Sequence, residues 1–321
     1  MIKLLYRNWK SFYRSIKCYN PETFTGRPKM PKYKHKVKGR NITVFTNQTC
    51  KLKGGYIHFS KKANLQPLKT KVSDIQQVRI IPQATCYVVE VIYKKEVKNV
   101  ELQPDTYLSI DTGLNNLATC VNNIGRQPFI VNGRPLKSIN QYFNKKKSQY
   151  MSYVGDRGKS NKIDKLTFKR NNKVEDYIHK TSRFIVNYCI EHKISTIVIG
   201  KNDNWKQNIN IGKRNNQNFV QIPFARLIEK IEYKAEEVGI KVITKEESYT
   251  SKCSFLDLEP VMKQDHYLGK RIKRGLFRSF SGIEINADVN GAYNILRKEI
   301  PNLFEDGIEG LGLIPLKVNL S

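Results

Sequence analysis

The sequence predicts an α/β fold built on a mixed sheet, preceded by a small basic β-rich domain. Two patterns carry this. Residues 42–93 hold short alternating apolar and polar runs broken by Gly, Pro and Asn, as strands and tight turns require. From Asp105 onward, strand-like apolar runs alternate with longer helical stretches, the order of an α/β sheet. At 321 residues, with 39% hydrophobic and 10% aromatic, the chain is able to bury cores in about two domains.

Taken in order, Leu4–Ile16 fits an amphipathic helix, and Asn20-Pro21 turns the chain after it. In the loop from Gly26 to Lys34, basic residues alternate with Pro and Tyr. Its prolines block regular pairing and keep it extended, so Arg27, Lys29, Lys32 and Lys34 are offered to phosphates and Tyr33 to a base face. An ordinary solvated basic loop has the same composition. Strands are expected at Ile42–Phe45, Gly55–Phe59, Val78–Ile81 and Cys86–Tyr93, forming a small barrel or sheet. Tyr107–Ile110, Leu117–Val121 and Phe129–Val131 read as a meander, with turns at Gly113–Asn116 and Asn122–Gly125. Basic helical stretches follow at 136–153 and 161–193. Next come a strand at Ser195–Gly200, a polar loop to Gln217, a helix at Pro223–Val238, a strand at Gly239–Thr244 and a helix at Ala287–Lys298. Three strands, helix, strand, helix, strand, helix is the order of a ribonuclease H-like fold. The expected domains are 1–104, with a short helical part at 1–20, and 105–300, with a basic helical insertion at 136–193. A tail at 301–321 follows.

Charge narrows the function. Lys and Arg number 57 against 28 Asp and Glu, a net +29, which calls for a polyanionic partner. Residues 1–100 hold 22 Lys/Arg and four Asp/Glu, so +18 of the excess lies in the first third. No apolar run approaches the ~18 residues of a spanning helix, and no signal-peptide pattern opens the chain, so no membrane partner is expected. None of the six cysteines has a neighbour at metal-ligand spacing, which argues against zinc and disulfides and for an intracellular protein. Gly155–Ser160 ends like a phosphate-binding loop, but the glycine five positions before Gly158 is missing and no strand leads into it. No small-molecule ligand is expected.

The chemistry lies in carboxylates at element ends. Hydrolysis of a phosphodiester needs a positioned water and charge stabilisation, which carboxylate-held divalent ions supply. Asp111 closes the strand Tyr107–Asp111, and Gly113 permits the turn that follows; an Asp there also simply starts turns. Asp288 falls in the first turn of the last helix, capped by Asn286. Gly291 and Ala292, three and four residues on, share its face and let the helix lie close to a sheet. An acidic residue at a helix N-terminus is also favourable by itself, but that alone asks for no mid-helix glycine.

The segments Ile110–Thr119, Glu247–Ser254 and Asn286–Ile295 resemble the RuvC motifs of TnpB, the transposon-encoded family also called OrfB and related to type V CRISPR effectors. The resemblance covers roughly residues 1–300. It implies a guide RNA transcribed from the transposon end, a double-stranded DNA target with a short motif read by the protein, and cutting that depends on magnesium or manganese. Base pairing supplies the specificity in such systems. A cytoplasmic, nucleoid-associated location follows from the same resemblance.

The chain departs from the family pattern in three places. Gly200 stands where the family's central glutamate ends its strand. The four-cysteine zinc knuckle, expected across 250–284, is reduced to Cys253, so no zinc is expected. Lys252, Lys270, Arg271, Lys273 and Arg274 keep that region basic and are expected to bind nucleic acid. The N-terminal helical region is short. Some TnpB-like branches resemble this chain in carrying the glutamate on the next strand, which here implies Glu247, beside Glu246. Strand alternation sends the two to opposite faces. The expected ligands are therefore Asp111, Glu247 and Asp288, with Asp203 a weaker substitute for Glu247. A solvated acidic pair at 246–247 would instead leave a nuclease-dead, RNA-guided DNA-binding repressor. A general RNA-binding protein is the third reading.

Overall fold

A computed structural model describes residues 2–23, 26–34, 39–155, 158–201, 222–305, 307–308 and 310–320. The polar loop to Gln217 and Asp203 lie outside these. The chain divides into two units, Met1–Lys95 and Glu96–Ser321.

In the first unit, helix α1 spans Ile2–Lys17. Six strands follow: β1 (Thr43–Thr46), β2 (Cys50–Lys53), β3 (Tyr56–Phe59), β4 (Leu68–Lys69), β5 (Gln77–Pro82) and β6 (Tyr87–Ile92). Barrel and sheet were both open from the strand pattern; the strands form two antiparallel sheets, β1-β5-β6 and β2-β3-β4. Cys50, Ile57, Ile75 and Val78 are buried between them, and the Phe45 and Phe59 rings meet edge-on at 4.9 Å. So small a core suits short strands that each have one apolar face.

The second unit is built on β7 (Gln103–Asp111), β8 (Asn116–Asn122), β9 (Phe129–Asn132), helices α2 (Arg134–Val154) and α3 (Asn161–Glu191), and β10 (Ile194–Gly200). Helix α4 (Phe224–Glu236) and β11 (Lys241–Lys245) come next. A small sheet of β12 (Lys270–Lys273), β13 (Leu276–Arg278) and β14 (Glu284–Asn286) leads into helix α5 (Ala287–Glu299), and β15 (Leu316–Val318) closes the chain. The main sheet has the order β11-β10-β7-β8-β9-β15. β7, β8 and β9 form the antiparallel meander; β10 lies parallel to β7, and β11 parallel to β10. This is the ribonuclease H-like arrangement expected from the element order.

Period-two alternation assigns the two faces of this sheet. Leu108 and Ile110 of β7, with Ile197 and Ile199 of β10, pack into the larger core with α3 and α4. The alternate residues, among them Tyr107 and Val198, face the smaller core formed with α5. Asp111 and Gly200 follow Tyr107 and Val198 in that alternation, so both end their strands on the α5 side.

Two expected boundaries shift. The second unit begins at Glu96 rather than Asp105, because Lys98 N donates to Glu237 O and Gln103 N to Lys193 O, tying 96–104 to it. The stretch 301–321 is no tail: β15 pairs in parallel with β9, Phe304 is buried, and Gly312 O accepts from the Tyr293 hydroxyl at 3.0 Å. An edge strand of three residues has too little alternation to be read from sequence.

The smaller core depends on an aromatic stack. Phe255 and Tyr293 lie 4.3 Å apart at 11°, with Phe304 edge-on at 5.2 Å from Phe255. Phe255→Ala is expected to cost about 3–5 kcal/mol, seen as a lower urea midpoint; an unchanged midpoint would show that the stack is not a stabilising core.

Candidate active site

The site forms at the carboxyl ends of the parallel strands β7, β10 and β11, the usual place for a site in an α/β sheet. Asp111 ends β7 on the α5 face, and α5 reaches it through Gly291. A Cβ on Gly291 would lie 3.0 Å from Asp111 Oδ2, so a larger residue there would crowd this carboxylate. Asp288 stands one turn before Gly291. Asn286 caps the helix by accepting from Asp288 N at 3.0 Å and Val289 N at 3.2 Å. Asp288 is held from both sides: Asn116 Nδ2 donates to its Oδ2 at 2.5 Å, and Arg271 Nη2 lies 3.4 Å from its Oδ1.

Glu247 enters from the loop after β11. Gly200 pairs with Lys245 at the ends of β10 and β11, and Lys201 N donates to Lys245 O at 2.8 Å, so Glu247 stands two residues beyond the last paired position. From there its side chain turns back over β10. A Cβ built on Gly200 would lie 2.8 Å from Glu247 Oε2 and 2.5 Å from Ile295 Cδ1. The Glu247 carboxylate thus fills the space that a side chain at position 200 would need. Glu246 points elsewhere, as alternation requires. It pairs with Lys298 and accepts from Ser248 N at 2.8 Å and Ser248 Oγ at 2.7 Å, and the Lys298 bond holds its carboxyl below the usual range.

Electrostatics tie the three carboxylates together. Burial pushes the Asp111 carboxyl well above its usual range, Glu247 and then Asp288 push it further, and Arg271 opposes them. Burial first, and Glu246 second, raise Glu247 to about 7. The site therefore gathers more negative charge than its own cations offset, and its donors are all oxygen, which suits magnesium or manganese. Among the described residues, no three His, Cys, Asp or Glu side chains are drawn together as a finished metal cage. The donor chemistry suits divalent ions, while the three carboxylates do not converge on a single ion position as they stand.

The segment after Glu247 is fastened to α5 by residues the sequence reading passed over. Asn290 Nδ2 donates to Cys253 O and its Oδ1 accepts from Phe255 N, both at 2.9 Å. Asn294 Nδ2 donates to Thr250 O at 2.9 Å and Cys253 O at 2.7 Å. Glu259, 3% exposed, accepts from Ser254 N at 2.7 Å and Leu268 N at 3.0 Å. Cys253 is buried and donates its thiol to Met262 O at 3.5 Å. The i,i+4 spacing of Asn290 and Asn294 was a visible signal for one helix face; nothing local marked Asn116 or Glu259.

Of the expected nucleic-acid residues, Arg271 reaches the carboxylates. Lys270 and Lys273 lie exposed on β12, and Arg274 on the turn after it. Lys252 is exposed, with its ammonium 5.8 Å from the Tyr267 ring centroid. Arg27, Lys29, Lys32, Tyr33 and Lys34 belong to the first unit, all exposed, Tyr33 by 98%. Lys34 Nζ donates to Arg40 O at 2.5 Å. Among the described residues, no helix is long and apolar enough to cross a membrane.

Known proteins resemble this chain in sequence and fold. The probable transposase family OrfB_IS605 matches residues 88–206, and a Cas12f1-like TNB domain matches residues 224–295. The CRISPR-associated endodeoxyribonuclease Cas12f1 of Sulfoacidibacillus thermotolerans is 35% identical over 136 residues, which is 41% of this chain and 28% of that protein. The TnpB-like protein ORF457 of Acidianus two-tailed virus is 26% identical over 226 residues, 65% of this chain and 46% of that protein. Among solved structures, a Cas12f1–sgRNA–target DNA complex superposes with a TM-score of 0.53 at 18% identity, covering 69% of this chain and 45% of that one; this shows a shared fold. The chain spans less than half the length of the curated relatives it matches. Its similarity in sequence is thus to the OrfB/TnpB-like and Cas12f proteins.

Glu247 yields a pH signature. Its folded carboxyl is raised from the ordinary 4.5 to about 7, so between those values the folded chain keeps a proton that the unfolded chain has lost. Without divalent metal, stability is therefore expected to fall as pH rises from about 4.5 to 7. Urea midpoints across that interval, measured in chelator, should drop less for Glu247→Gln than for the wild type. Equal slopes would place Glu247 in solvent.

Proposed function

We propose that this chain is an RNA-guided DNA endonuclease of the transposon-encoded type, cutting phosphodiesters at Asp111, Glu247 and Asp288. The observation that carries the reading is the Glu247 carboxylate lying 2.8 Å from where a Cβ of Gly200 would stand. A chain that had merely lost its central glutamate has no reason to refill that space with another. The relatives' names support the same chemistry, since two are endodeoxyribonucleases. The partners in this reading are a guide RNA from the transposon end and a double-stranded DNA target, met in the cytoplasm at the nucleoid. The +29 charge suits such a load.

Asp111, Glu247 and Asp288 would hold magnesium or manganese. When bound, such ions polarise the phosphate and lower the pKa of an attacking water. The protein's part is positioning. Asn116 fixes one oxygen of Asp288, and Asn286 fixes the helix turn that presents it. Arg271 sets a positive charge beside the carboxylates, facing the charge that develops on the phosphate. Asn290 and Asn294 fasten the segment that follows Glu247. Glu259 and the two asparagines hold the region where the family carries zinc thiolates, so we propose that no structural zinc is needed. One tightly bound equivalent of zinc in elemental analysis would contradict that.

Cleavage of guide-matched DNA is expected to need magnesium or manganese and to stop in chelator. Asp111→Ala, Glu247→Ala and Asp288→Ala should each lose cutting while guided DNA binding remains. Asn116→Ala, which frees Asp288 Oδ2, should lower cutting about 10–100-fold. Glu246→Ala should keep cutting, because its side chain turns to Lys298. A wild type that binds its target yet never cuts in either metal would leave a guided DNA binder. Active Glu247→Ala would remove Glu247 from the site.

A second test concerns the exposed loop of the first unit. Replacing Arg27, Lys29, Lys32 and Lys34 together with Ala should weaken guide RNA binding and flatten its salt dependence, through fewer released counterions. If neither changes, the loop is solvated surface only.

A further inference from the structure

Helices α2 and α3 enclose a cleft that the carboxylate site does not use. Residues 134–173 hold twelve Lys/Arg and two Asp/Glu, and α2 itself has no acidic residue. The cleft has a volume of about 630 Å³, and no acidic side chain lines it. Its two walls differ. Tyr142 and Tyr150 stand on α2, whereas Lys162, Lys165, Lys169 and Lys173 stand on α3. The three- and four-residue spacing puts those lysines on one face, over about 16 Å of helix. Tyr142 is 61% exposed, so its ring is not spent on the core. The helices are braced at one end, where Arg170 Nε donates to Asn140 Oδ1 at 2.8 Å.

A merely solvated basic face needs no aromatic wall. A row of ammonium groups opposite rings matches a polyanion that also presents flat apolar faces, which describes single-stranded nucleic acid. A duplex keeps its base faces inside the stack and offers only phosphates. The position of the cleft selects the strand. The lining begins at Ser138, next to Lys137, whose Nζ donates to Asn115 Oδ1 at 2.9 Å. Gly133 N, just before α2, donates to Asn115 O at 2.7 Å, and the adjoining Asn116 holds Asp288. The start of α2, where the cleft begins, is therefore joined to the loop that holds Asp288. We infer that the cleft is a track for single-stranded DNA on its way to the cutting site. The destination rests on the nuclease reading above; the binding does not.

The test uses the full chain in chelator, with fluorescence anisotropy of a labelled oligo(dT) 20-mer, an oligo(rU) 20-mer and a hairpin duplex. Tyr142→Ala/Tyr150→Ala is expected to weaken oligo(dT) binding at least about tenfold, with little change for the duplex. Tyr142→Phe/Tyr150→Phe keeps the rings and should bind like the wild type. Changing the four lysines to Ala should lower affinity and reduce the salt slope by about 0.7 per lost contact. Unfolding midpoints matched to the wild type establish that each variant is folded. Unaltered oligo(dT) binding by the alanine pair, or an equal loss on the duplex, overturns the track. A loss confined to oligo(rU) overturns the assignment to DNA. Cutting separates the two readings. If Asp111→Ala stops cutting while the tyrosine variants bind and cut normally, the nuclease stands and the track falls. If the wild type never cuts but the tyrosine effect holds, the reverse is true.

Discussion

Helix α5 approaches the β7–β10 face where two residues carry no side chain. Gly291 lets Asp111 Oδ2 come within 3.0 Å of where its Cβ would be, and Gly200 leaves space filled by Ile295 and Glu247. This close packing decides much else. It seals the smaller core around Val198, Val289 and Ile295. It places the first turn of α5 over the end of β7, so a residue 177 positions from Asp111 becomes its neighbour in charge. Interiors are packed densely enough that one added methyl group in such a seam is felt. The same two positions therefore serve packing and chemistry at once.

The neighbouring segment is held together by side-chain hydrogen bonds to its backbone. A four-thiolate knuckle draws four chain points together through one ion. Here Glu259 gathers two backbone amides, and Asn290 and Asn294 gather one amide and two carbonyls from the side of α5. Buried carboxylates are costly unless their oxygens are met, and both oxygens of Glu259 are. The arrangement also roots the segment carrying Glu247 in the helix carrying Asp288.

The sheet was legible because its strands obey two clear rules. The meander is punctuated by Gly and Asn, and β10 carries the apolar run Ile197–Ile199, as a strand covered on both faces does. Asp111, Gly200 and Asp288 were readable for the same reason: each ends or begins an element, where position along the chain fixes position in space. Glu247 was reached only through likeness to other branches, since a loop residue has no periodicity to orient it. Asn116, Glu259, the start of the second unit at Glu96 and the edge strand β15 were not legible. Glu259 depends on the irregular fold of its own loop, and the others on partners far away in the sequence: Asn116 on Asp288, residues 96–104 on α4 and β10, and β15 on β9. Local pattern carries no trace of such pairings.

The proposed exchange between positions 200 and 247 has an evolutionary corollary. A glutamate at 200 would meet Ile295 and the existing Glu247 carboxylate in the same space, so those side chains must move to admit it. Removing Glu247 first leaves the seam one acid short. In the proposed site the two positions form an epistatic pair, in which each residue's worth depends on the state of the other. On that reading, descendants are expected to keep glycine and glutamate together or lose both.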